Sequence, residues 1–202
     1  MTKTHDSTLK TILIILGTIL VLLFLAIYFW QPSQNSDYFF KYNGFQFQRD
    51  QYGYKLTLYI NNQATPAIVH LREDPRTLED IPIQGDAQTL RAKQQIYITL
   101  DPYANLTGKT TIGALEIDAI IDNPYLFTIP VSSAFTVPFA NATVRTCADV
   151  NATEGVILLQ TGDQTLIREE QGGCITVQGV TENDIIRASD RLVYTLLKIM
   201  EP

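Results

Sequence analysis

Two cysteines, Cys147 and Cys174, stand 28 residues apart, counting both ends. Sulfur at that spacing has three ordinary uses. It can close the loop as a disulfide, worth about 3.5 kcal/mol on the chain-entropy relation for this loop length. It can cycle in redox chemistry, which favours a C-x-x-C spacing that the chain lacks. It can hold zinc, which would need further Cys or His ligands. His70 is the one histidine beyond the N-terminal segment, so zinc is short of donors. We expect a Cys147–Cys174 disulfide, with two unpaired buried thiols as the alternative.

Other chemistry finds little support. There is no G-x-S-x-G around Ser132-Ser133 and no H-E-x-x-H. The acidic pairs Glu73-Asp74 and Glu169-Glu170 fall at expected strand ends or turns, where a solvated face explains them. Gly172-Gly173 lies between expected strands rather than before a helix, so it is no phosphate loop. The calcium-loop pattern is missing as well. No pattern calls for a catalytic residue, a cofactor or a metal.

Net charge is −6, and Lys3, Asp6 and Lys10 sum to +1 in the first ten residues, leaving −7 for the rest. An acidic domain without a Lys/Arg run is a poor partner for nucleic acid, which we set aside. Ten Tyr and nine Phe in a mixed polar and apolar pattern argue for a folded domain rather than a disordered tail.

What positions this domain is a run of twenty uncharged residues, Thr11 to Trp30 (TILIILGTILVLLFLAIYFW). A helix of that length spans about 30 Å, the hydrocarbon thickness of a bilayer. The run ends in Phe29, Trp30, Gln31 and Pro32, without the small residues of a cleavage site, which favours an uncleaved signal anchor over a cleaved signal peptide. Lys3 and Lys10 precede it and no Lys or Arg follows in residues 31–40, so the N-terminus is expected inside. Both cysteines and three N-x-[ST] sequons, at Asn105, Asn141 and Asn151, lie beyond it. The expected organisation is a cytosolic tail (1–10), a transmembrane signal anchor (11–30), a linker (31–37) and an extracytoplasmic domain (38–202), with a lobe boundary near residue 140. Within the span Gly17 stands alone, which gives no helix-dimer motif.

The outer domain reads as α+β. Phe45 and Phe47, then Tyr54 to Ile60, then Ala67 to Leu71 alternate with period two and predict a three-stranded antiparallel meander, with turns at 49–53 and at Asn61-Asn62-Gln63. Asp74-Pro75 predicts an N-capped turn of helix through Leu78. Ile96, Ile98 and Leu100 predict a strand, residues 110–121 a helix ended by Asn123-Pro124, and residues 126–137 a strand interrupted at Pro130, at an edge or bulge. Three further strands are expected near 156–159, 165–168 and 174–177. Thr181 with Asp184 resembles a capping box, opening an amphipathic helix to Met200 that packs on a sheet. Arg187, Asp190, Arg191 and Lys198 are expected on its polar face.

The run C-A-D, GVILLQTGDQTLI, GGCITVQG and DIIRASDRLVYTLLKIM, with YNGFQF and LREDPRTLEDIPI nearer the start, resembles a group of single-pass membrane proteins of small-genome archaea. The resemblance implies an envelope location and no assigned activity. We therefore expect a cell-membrane protein, held in the lipid bilayer through residues 11–30, that acts as a non-enzymatic binding or structural component toward an envelope protein or glycan. A carboxylate-dependent envelope hydrolase is one alternative, favoured by two acidic groups facing each other across a cleft. An accessory subunit of a membrane complex is another.

Overall fold

The computed structural model describes residues 14–26, 38–59 and 66–201. It forms two units, residues 1–38 and 39–202. In the first unit, residues 14–26 are helical (α1) with exposed apolar side chains such as Leu22 and Phe24. The expected span 11–30 runs past the described residues at both ends. Among the described residues, no helix is long and apolar enough to cross a membrane.

The second unit is α+β, with two sheets. Sheet A is a four-stranded antiparallel meander, β1 (Phe39–Tyr42), β2 (Phe45–Asp50), β3 (Gly53–Leu58) and β4 (Ala67–Leu71), in chain order. The meander therefore has one strand more than the three expected. The Tyr42–Phe45 hairpin that adds it turns through Asn43 and Gly44, both at positive φ. Period two decides the buried face: Phe47, Leu56 and Val69 stand side by side in register and are all at most 1 % exposed. The expected turn at 61–63 lies outside the described residues.

Sheet B has six strands in the order β5 (Ile83–Gln84), β9 (Leu166–Gln171), β10 (Cys174–Gly179), β8 (Glu154–Thr161), β6 (Gln95–Leu100), β7 (Val131–Phe135). β10, β8, β6 and β7 run parallel, and β9 lies antiparallel to β10. The three C-terminal strands thus do not pair in sequence. β10 inserts between β8 and β9, so that Ile157, Ile175 and Val177, all fully buried, form one stripe. Sheet B is continuous across residue 140, with β7 before it and β8 after it.

Helix α2 (Gly108–Ile121) and helix α3 (Glu182–Leu196) complete the unit. The box at the start of α3 forms as the sequence suggests: Thr181 Oγ1 accepts from the Asp184 N–H, and the Asp184 carboxylate accepts from the Thr181 N–H. Ile185, Leu192, Val193 and Leu196 are buried. Phe47 of sheet A meets Tyr194 edge-on at 5.9 Å, so α3 is covered from the sheet A side as well as by sheet B. That double cover corrects one expectation. Arg187 and Lys198 remain accessible, but Asp190 and Arg191, expected on a polar face, are 0 % and 5 % exposed. Arg191 is satisfied inside by Ile81 O, Thr195 Oγ1 and Glu201 O at 3.2, 2.7 and 2.6 Å. Burial is tolerable because each N–H that leaves water finds an acceptor.

Candidate functional site

Helix α2 is positioned through its first turn. One carboxylate oxygen of Glu182, at the start of α3, accepts from the N–H and hydroxyl of both Thr107 and Thr110, at 2.8 to 3.2 Å. Desolvation pushes the Glu182 carboxyl up, and these bonds from Thr110 and Thr107 outweigh it and hold it below the usual range. The two helix N-termini are thereby tied together. One turn further on, Gly113 is the contact that lets the helices close: a Cβ there would lie 2.5 Å from Ser189 Oγ.

The two long sides of α2 then meet very different surroundings. Glu116 points toward α3 and the end of β4. Its Oε1 pairs with Arg72 Nε at 2.8 Å. Asp190 lies beside it, and Asp190 Oδ2 accepts from the Arg72 and Glu73 N–H groups at 3.0 and 2.8 Å. Glu116 Oε2 and Asp190 Oδ1 are buried with no hydrogen-bond partner among the described residues. Desolvation first, and the neighbouring Glu116 charge second, push Asp190 well above the usual carboxylate range; desolvation raises Glu116 too. Tyr194 closes this polar pocket by donating to Glu73 O at 2.9 Å. No sequence pattern flagged this pair, because its members lie 74 positions apart on two helices. The pair is a structural joint between α2, α3 and the end of β4.

On its other side α2 borders an open groove of about 420 Å³, within the range of ligand-sized clefts. Ile98, Leu100, Ala114, Leu115, Val131 and Phe135 give it an apolar lining along β7 and the second half of β6. Leu115 is 60 % exposed. Phe139 stacks edge-on against both Phe135 and Tyr103, extending the apolar rim. Asp118 lines the same groove, and its side chain has no hydrogen-bond or ion-pair partner among the described residues. Desolvation, then the like charge of Asp122 one turn on, raises its carboxyl. The sequence carries a trace of this site: α2 has two apolar stripes, and only the stripe with Ile117, Ile120 and Ile121 is fully buried.

The residues singled out in the sequence sit elsewhere. Cys147 and Cys174 come within disulfide distance, their Cα atoms 5.3 Å apart. The bond tacks the segment before β8 onto β10, where Thr99 Oγ1 also donates to Arg145 O at 2.9 Å. Glu170 lies beside the two sulfurs and is used by Arg168 and Thr176. Asn105, Asn141 and Asn151 are exposed. The Asn151 amide is occupied: Nδ2 donates to Glu154, and Oδ1 accepts from the N–H groups of Thr153 and Glu154. His70 faces Asp50 at 3.6 Å on sheet A, and Ser132 and Ser133 stand on β7. Compared with known proteins, the chain matches no protein family, no characterised protein and no solved structure.

Proposed function

We propose that the chain is a membrane-anchored envelope protein whose outer domain is a non-enzymatic binding module. Residues 11–30 hold it in the bilayer with the N-terminus cytoplasmic, and the domain engages a second envelope component. The observation that carries this reading is the groove: open, apolar, rimmed by exposed aromatics, and offering one unpartnered carboxylate rather than a set of converging polar groups. Such a surface receives a partner better than it performs chemistry. The uncharged run and the lysines before it support the anchor.

The test has two arms on the full chain in its own membrane. Protease added from outside should remove a C-terminal tag; a protected tag would reverse the topology. A photo-crosslinking residue at position 115 should join the domain to another envelope component, and one at exposed Thr57 on sheet A serves as the comparison. Equal yields from the two positions, or none from position 115, would sink the binding reading.

A further inference from the structure

The groove adjoins a sheet edge, β7, that is partnered on its outer side only near Phe135 among the described residues. On its inner side β7 bonds to β6: Ile96 donates to Pro130 O, and Thr136 donates to Leu100 O. On its outer side, Phe135 donates to Thr143 O and accepts from Arg145 N–H. Backbone direction alternates with period two along a strand, so Val131 and Ser133 turn their N–H and C=O groups outward as Phe135 does. Among the described residues no backbone group bonds to them there. Edges of this kind are normally blunted by Lys, Pro or a bulge. The β7 sequence, VSSAF, contains neither residue, and its register with β6 is regular. Val131 and Ser133 also line the groove, so edge and groove form one surface.

We propose that this surface receives an extended segment of a partner protein, which pairs with Val131 and Ser133, lodges an apolar side chain in the groove, and sets a Lys or Arg against Asp118. The addition of a strand gives affinity through the main chain, and the groove reads alternate side chains. Charge selects the partner. Asp118 and Asp122 are one turn apart on a domain that carries an excess of acidic residues, so a second copy of this chain would bring acid against acid. The inference rests on the binding-module reading and specifies the partner's chemistry.

The probe is a fluorescein-labelled, N-acetylated hexapeptide of alternating Val and Lys, titrated by anisotropy against the full chain in detergent. The Val–Lys peptide should bind saturably, and its Val–Glu counterpart should not. Ser133→Pro removes one outward N–H and leaves the β6 pairing in place, as proline does on edge strands. It should weaken binding at least tenfold. Asp118→Asn keeps the side-chain shape and should weaken it about fivefold, which serves if the proline variant melts early. Absence of saturable binding, or binding indifferent to both substitutions, overturns the proposal. So does a full-length dimer that Ser133→Pro dissociates, since a second copy would then own the edge. A crosslink from position 115 that survives both substitutions overturns the strand-addition mode while the binding-module reading stands.

Discussion

Glu116 and Asp118 sit two residues apart on α2, both raised by loss of solvent, and they have opposite fates. Glu116 is closed in by Arg72 and by the neighbouring Asp190. Asp118 is left at the wall of an apolar groove with no partner. One helix therefore presents an enclosed polar joint on one side and an open surface on the other. The joint fastens α2 to α3 and the end of β4, and recognition is what we propose for the groove.

The largest expected effect breaks the joint. Asp190→Ala would orphan the Arg72 and Glu73 N–H groups, each at about 1–3 kcal/mol. We expect a loss of about 2–6 kcal/mol in chemical denaturation of the full chain in detergent. A change below 1 kcal/mol would show that water replaces the carboxylate and that the joint is not closed.

Next comes the seam between the helices. Gly113→Ala places a methyl group against Ser189 and should cost about 1–3 kcal/mol through overpacking. Helix propensity alone would reverse the sign, since alanine is the better helix former. A stabilised variant would mean that α2 shifts freely away from α3.

The pH dependence is smaller and sharpens the contrast. Ordinary carboxyls titrate near pH 4, and both members of the pair lie above their usual values when folded. The folded chain therefore keeps a proton that the unfolded chain loses. The pair's contribution is complete below about pH 4 and declines as pH rises toward the folded pKa. Asp190→Asn retains an acceptor for the two N–H groups and puts a neutral amide beside Glu116. The difference in melting temperature between the Asn variant and wild type should grow in the variant's favour from pH 4 to pH 8. A constant difference would show that folding does not raise Asp190. The smallest effect is on the open side, where Leu115→Ala should stay within about 0.5 kcal/mol in stability, as surface substitutions do, while weakening the peptide.

Much of this molecule was legible along the chain because the forces concerned are local. The period-two runs, the Asp74-Pro75 turn and the Thr181–Asp184 box each depend on residues within a few positions of one another, and each forms as the spacing implies. The apolar stripe of α3 announced a packed helix for the same reason. The sequence also determined the twenty uncharged residues at 11–30 and the acid excess that follows them, which are properties of composition.

Only the tertiary structure decided where Asp190 and Arg191 would lie. Their side of α3 reads as polar, yet sheet A and the chain after β4 cover it, and their partners come from residues 72, 73, 81 and 201. It likewise decided that β10 lies between β8 and β9, since each strand is apolar enough to take the central place and turn residues constrain only the nearest pairing. The groove has the same origin: Ile98, Leu115 and Phe135 are unremarkable in their own segments, and the site exists because one side of α2 lies beside β6 and β7 at the margin of a sheet. Local order follows from short-range spacing, whereas burial and juxtaposition are set by contacts between residues far apart in the chain.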